Sequence, residues 1–109
     1  MQVAEKTTPQ TQFNFSRMRD NAERTTDFLK NLTHTSRLMI LCRLSEAPAT
    51  VGELEEMLSV HQTSVSKQLA RLRKDGLVKS QRDGRSIYYS LADERAGRIV
   101  ETLYELFCD

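Results

Sequence analysis

Apolar and polar residues recur along this chain with two periods, and each change of period marks a change of element. From Ser16 to about Leu32, the positions Met18, Ala22, Thr25 and Leu29 follow a spacing of three to four. That spacing predicts a helix, with Ser16 placed to cap it. From about Thr35 to Ser45 the chain is apolar almost all round, as a central core helix should be. Ala47-Pro48-Ala49 breaks that run. Thr50 followed by Glu53 has the form of a capping box, and Val51, Leu54 and Leu58 line one face of a short third helix.

Residues 59–61 predict a tight turn, and a fourth helix is expected over Gln62–Lys74. In it Val65, Leu69 and Leu72 form a single buried stripe, and Gly76 is placed to end it as the residue just past the helix. The period then shortens to two. Residues 77–82 and 86–91 read as strands flanking Asp83-Gly84, a pair that commonly turns a hairpin. A last helix is expected from about Asp93 to Phe107, with Ile99, Val100, Leu103, Leu106 and Phe107 as its apolar positions. Residues 1–15 are rich in Thr, Gln and Lys and read as a flexible arm, leaving 16–109 as one folded domain.

The order of elements carries the first functional statement. A short helix joined by a three-residue turn to an amphipathic helix is a helix-turn-helix, and the hairpin behind it forms a wing. The expected fold class is therefore mainly α with a β-hairpin wing. With its apolar stripe turned inward, the fourth helix is expected to offer Gln62, Thr63, Ser64, Ser66, Lys67, Gln68 and Arg71 to DNA. Gln suits adenine, Lys and Arg suit guanine, and Ser suits either or a phosphate. Arg85, at the wing tip, is placed to reach a neighbouring backbone or minor groove.

Charge sharpens this reading. The net charge is only +1. Between Gln62 and Ser86, however, seven basic residues face two acidic ones, a local excess of +5. A basic stretch in a near-neutral protein is the footprint of a surface that meets phosphate. No apolar run approaches the roughly 18 residues that span a membrane, and Met1–Thr11 lacks the apolar core of a signal peptide. The expected location is cytoplasmic. There is no Cys-x-x-Cys, no Gly-rich phosphate loop and no Ser-His-Asp set in a plausible context. His34 and His61 read as a helix-terminus residue and a turn residue. No catalytic residue, no cofactor and no enzymatic activity are expected.

Several segments together resemble the ArsR family of bacterial repressors. They are Leu32-Thr33-His34-Thr35-Ser36-Arg37-Leu38, Val51-Gly52-Glu53-Leu54, His61 to Leu72, Asp75-Gly76-Leu77-Val78 and Gly84 to Tyr89. The resemblance covers about residues 20–107. It implies a winged helix-turn-helix homodimer, held by its first and last helices, that binds double-stranded operator DNA and leaves it when an inducer arrives. The family's arsenic and lead sensors carry a Cys-x-Cys run in the third helix, where this chain has Val51-Gly52-Glu53. Its zinc sensors place Asp and His pairs in the last helix, and here no His follows His61. No metal site is expected, since the scattered Cys42, Cys108, His34 and His61 do not make a four-ligand set.

The remaining pair, Cys42 and Cys108, is similar to that of the branch of the family that senses persulfides and polysulfides through two thiols. The resemblance implies that Cys42 and Cys108 are redox-sensing and that reactive sulfur species are the inducer. Two alternatives stay open beside it: a metal- or metalloid-responsive repressor, and a repressor with structural cysteines and another inducer.

Overall fold

The computed structural model of the chain describes residues 13–59 and 62–108, without the side chains of Gln62 and Thr63. The arm expected over 1–15 thus lies outside the described residues except for its end, where Asn14 caps the first helix and Phe15 begins it. That helix, α1 (Phe15–Leu29), starts one residue earlier than its spacing predicts. Asn14 rather than Ser16 is its cap. The Asn14 Oδ1 accepts the Arg17 N–H at 3.1 Å, as a good N-cap residue should. Ser16 lies inside the first turn, and its hydroxyl accepts from Arg19 instead. At its other end α1 stops three residues short of the expected Leu32. Lys30–Leu32 tighten into one turn of 3₁₀ helix. Asn31 in that turn is buried, and its Nδ2 donates to Asp75 Oδ2 at 3.0 Å.

The core is built on α2 (Thr35–Leu44), which buries Ile40, Leu41 and Leu44, with Ser45 as its C-cap rather than its last residue. Next comes β1 (Ala49–Thr50), a two-residue strand that the sequence pattern does not reveal. It leads into α3 (Val51–Leu58) through the capping box that Thr50 and Glu53 predict. The Thr50 hydroxyl accepts from Glu53 N at 3.1 Å, and Glu53 Oε1 accepts from Thr50 N at 2.9 Å.

The fourth helix, α4 (Gln62–Lys74), keeps the expected bounds. Gly76 takes φ +80°, donates to Arg73 O at 3.0 Å, and is followed by Leu77 N donating to Leu72 O at 2.9 Å. This pair of bonds is a Schellman closure. It turns the chain so that Leu77 and Val78 both enter the core.

The wing is β2 (Val78–Asp83) and β3 (Ser86–Leu91), paired antiparallel from Val78↔Leu91 to Asp83↔Ser86. Asp83 is therefore a strand residue, and the two-residue turn is Gly84-Arg85 rather than Asp83-Gly84. Gly84 has φ +66° while Arg85 is not left-handed. A glycine at the first central position is the requirement of a type II′ turn. On its other edge β3 pairs with β1, Ala49↔Tyr89, so the sheet has three strands in the order β1-β3-β2.

The last helix, α5 (Glu94–Phe107), packs on α2 and β3 and buries Ala96 and Val100. Asp93 caps it, accepting from Arg95 N at 2.9 Å. The Arg95 guanidinium on the same carboxylate, 2.7 Å from Oδ2, holds Asp93 below its usual range.

Leu41, Leu54, Leu69 and Leu72 are all fully enclosed in one cluster. Each is worth about 1.5–3 kcal/mol relative to exposure. The result is a mainly helical winged helix-turn-helix: α3 and α4 are the helix pair, and β2–β3 is the wing.

Candidate DNA interface and dithiol cleft

The helix pair is set by the end of α3. Ser59 adopts φ +57° and its N–H returns to Glu55 O at 2.8 Å, which closes the helix with a left-handed residue. Val60 and His61 of the expected turn lie outside the described residues. On the inner side of α4, Val65, Leu69 and Leu72 are buried as their spacing predicts.

Gln68 is a correction. It is only 9% exposed, and its Oε1 accepts Arg37 Nη1 at 2.8 Å. At i+3 from Val65 and i−4 from Leu72 it belongs to the buried stripe, so it faces the core and not a groove. Arg37 also reaches back to Lys30 O at 3.4 Å, while its own Nε is buried without a partner. The Arg37–Gln68 pair therefore anchors the recognition helix to α2 and the 3₁₀ turn.

The outer side of α4 exposes Ser66, Lys67 and Arg71, with Ser64 half-buried. Gln62 and Thr63 occupy its first turn. Arg71 leans toward the helix end, where its Nε meets Asp75 Oδ2 at 3.3 Å. An ion pair this open to solvent is worth at most about 1 kcal/mol and gives way readily to a phosphate. Arg85 is exposed at the wing tip.

The expected set omits Arg73 and Lys74. Both are exposed, and with Ser66, Ala70 and Tyr89 they line a shallow groove between α4 and the wing. The signal was available: Ser66, Ala70, Arg73 and Lys74 share one face at spacings of three and four.

On the far side of the core, α2 and α5 enclose a second feature. Cys42 on α2 is half-buried, and Cys108 is the exposed C-cap of α5, its N–H bonded to Tyr104 O at 2.8 Å. Both are free thiols and both line one open cleft of about 960 Å³. Burial pushes the Cys42 thiol up, and the neighbouring Cys108 and Glu46 push it the same way. Among the described residues, no three His, Cys, Asp or Glu side chains converge as a metal cluster, and His34 stands exposed at the start of α2.

Residues 34–80 match the family described as bacterial regulatory protein, arsR family. Over 80 residues the chain is 44% identical to the biofilm growth-associated repressor of Agrobacterium fabrum, covering 73% of this chain and 68% of that protein. Its counterpart in Xylella fastidiosa is 38% identical over 91 residues, 84% of this chain and 80% of the other. The chain belongs to the ArsR family.

The solved structures agree. The transcriptional repressor BigR from Xylella fastidiosa superposes with a TM-score of 0.84 at 36% identity, over 89% of this chain and 99% of that one. A reduced form of HlyU from Vibrio cholerae gives 0.80 at 33% identity, over 85% and 98%. This ArsR-family protein is a DNA-binding transcriptional regulator and not an enzyme. No helix among its described residues is long and apolar enough to cross a membrane.

Proposed function

We propose that this protein is a homodimeric, operator-binding repressor that releases DNA when reactive sulfur species join Cys42 to Cys108 within one subunit. The observation that carries the proposal is the shared cleft: two free thiols, 66 positions apart in sequence, line the same cleft between α2 and α5. A protein with this partner works in the cytoplasm, where bacterial DNA lies.

Dimerisation is supported by what the single chain leaves uncovered. The first helix buries none of its residues, and Phe13, Phe15 and Met18 are exposed there. Leu106 and Phe107 are exposed on α5 at 70% and 81%. Apolar surface gathered on two helices is a mark of an interface. Two copies joined through α1 and α5 present two α4 helices to successive major-groove segments about 34 Å apart.

The switch is a two-step exchange. Cys108, the exposed thiol, attacks a polysulfide as its thiolate and takes one sulfur, displacing a chain shorter by that atom. Cys42, giving up its proton, then attacks the Sγ of the Cys108 persulfide, forming the Cys42–Cys108 bridge and expelling the outer sulfur as hydrosulfide. A longer bridge results when further sulfur is retained, and it relaxes the need for Cα atoms within about 7 Å. Because α5 is both a wall of the cleft and part of the dimer seam, tying it to α2 alters the spacing of the two α4 helices. A coupling of about 1–3 kcal/mol suffices to shift binding.

The test is intact mass of the protein after polysulfide, peroxide and zinc treatment in parallel, with operator affinity read on the same samples. Polysulfide should remove two hydrogens, or remove them and add whole sulfur atoms, and should weaken binding. Cys42→Ser and Cys108→Ser should each bind normally when reduced and stay bound after polysulfide. Release of DNA by either variant would overturn the proposal.

A further inference from the structure

The cleft beside the thiols is far larger than a sulfur chain needs, and its walls have a definite character. Met39 on α2, Met57 on α3, Leu91 on β3 and Tyr104 on α5 line it, so apolar groups from four elements share the cleft with the dithiol. Met39 and Met57 are 41% and 40% exposed, and Tyr104 is exposed as well. These are large apolar groups held open beside a reactive pair, where a folded core would normally cover them.

The charges at the rim point the same way. Arg43 is turned aside onto Ala47 O at 2.8 Å, and Asp93 is matched by Arg95. A carbonyl partner leaves Arg43 its charge, so the carboxylates of Glu46, Glu94 and Glu101 stand against the guanidinium groups of Arg43 and Arg98, an excess of one negative charge. An excess of negative charge at a cleft mouth disfavours an anionic visitor.

We infer that the dithiol cleft selects an organic persulfide with an apolar carbon group, which packs against Met39, Met57, Leu91 and Tyr104 while its outer sulfur meets the thiols. This inference rests on the sulfur-switch reading above and names the carrier that delivers the sulfur. In the reaction a cysteine thiolate attacks the outer sulfur of R–S–SH. The S–S bond of the donor breaks, and the leaving thiolate takes up a proton as R–SH. The second cysteine thiolate then attacks the protein-bound sulfur of the new Cys–S–SH, closing Cys42–S–S–Cys108 and expelling hydrosulfide, which is protonated. One persulfide and two protein thiols thus yield one disulfide, one R–SH and one H₂S. The two electrons lost by the protein thiols are taken up by the persulfide's sulfane sulfur. The cleft binds the alkyl group through the approach to the first step, so the selectivity appears in the bimolecular rate.

The experiment measures the rate of Cys42–Cys108 bridging in the full-length reduced protein with methyl, ethyl, butyl and hexyl persulfides, with glutathione persulfide, and with inorganic tetrasulfide as reference. Full burial of a methylene is worth about fourfold in binding. In a half-open cleft the rate relative to tetrasulfide should rise about twofold to fourfold per carbon until the cleft is filled. Glutathione persulfide, which is anionic, should fall below the butyl compound. Met39→Gln and Met57→Gln replace partly exposed side chains, so the fold tolerates them, and each should flatten the series when rates are referred to tetrasulfide on the same variant. A flat series in the wild type, which is also the result if a second copy's helix fills the cleft, would overturn the inference. So would a faster reaction with glutathione persulfide than with the butyl compound. Failure of tetrasulfide itself to form the bridge would instead sink the underlying sulfur switch, and the inference with it.

Discussion

The two ends of the domain are finished to different degrees. Around α2, α3, α4 and the wing the apolar stripes meet in one buried cluster, and several of the turns between elements are closed by tight local devices. Examples are the Thr50–Glu53 capping box, the left-handed Ser59 and the Gly76 closure. Along α1 and the outer side of α5, both capped as well, less apolar surface is covered. There the long first helix fully buries no residue and packs Phe28 against the core at its end, while Phe15, Leu106 and Phe107 stand in solvent. The helix-turn-helix and wing are thus complete within one chain, while the surface proposed to join two chains is left uncovered. Placing the thiols where these regions meet, on core helix α2 and at the end of α5, lets a change in the second be tied to the first.

The largest effect should come from breaking the finished region. Leu69→Ala leaves a hole at a fully buried site, and large-to-small changes of this kind cost about 2–5 kcal/mol. Against a total of about 5–15 kcal/mol that is a large fraction. Thermal and urea unfolding would show it, and a loss below about 1 kcal/mol would mean the core is less closely packed than described.

The next effect separates the regions. Leu106→Asp with Phe107→Asp alters side chains that one chain leaves exposed, so the fold of each chain should survive while dimerisation fails. Specific operator binding exceeds non-specific binding by about 4–10 kcal/mol, and a monomer keeps the contacts of only one half-site. Affinity should fall by at least about a hundredfold. Sedimentation and circular dichroism on the same samples would distinguish a folded monomer from an unfolded chain. A variant that remains dimeric with native affinity would remove α5 from the interface.

What was legible in the sequence follows the same division. The stripe of Val65, Leu69 and Leu72, the Thr50–Glu53 box and the Gly76 stop are local signals, each set by residues within a turn of one another, and each appears in the structure as expected. Strand β1 was not legible: two residues, Ala49 and Thr50, become a strand only because Tyr88 and Tyr89 come to lie beside them. The hairpin was legible but its turn slipped by one residue, since Asp-Gly favours two left-handed positions and the pairing supplies only one. On α1, Ser16 looked like a cap until Asn14, two residues earlier, proved to reach the free N–H. The cleft is assembled from residues up to 69 positions apart. Periodicity cannot show such a site; the family resemblance, which implied that Cys42 and Cys108 act as a pair, pointed to it.

Gln68 offers a smaller test of where the finished region ends. Its polar side chain suggested a base-reading role, yet it is bonded to Arg37 beneath α4. Gln68→Ala strands a guanidinium that already has one unpaired buried nitrogen. A lost bond to a charged group costs about 1.5–3 kcal/mol of stability. Preference among operator variants should remain as it was once folded protein is compared. A change in which base is preferred at one position, with stability intact, would return Gln68 to the DNA face.

The smallest effect belongs to the wing. Arg85 follows Gly84 in the two-residue turn, exposed and beyond the last strand pair, Asp83↔Ser86. It supports nothing in the fold, so Arg85→Ala should leave unfolding within about 0.5 kcal/mol of the parent, as surface substitutions do. The partner proposed for it is DNA. A lysine or arginine on a phosphate carries no sequence information, and its loss weakens binding to all sequences alike. The proposed dimer would place one such wing on each half-site. Removing both contacts should lower affinity by roughly tenfold at moderate salt and reduce the slope of log K against log salt by about 1–2. A salt titration with the operator and an unrelated duplex side by side would read both quantities. An equal fall on both duplexes fits a backbone contact. A fall confined to the operator would make Arg85 a reader of its minor groove, and the wing would join α4 as a second source of specificity.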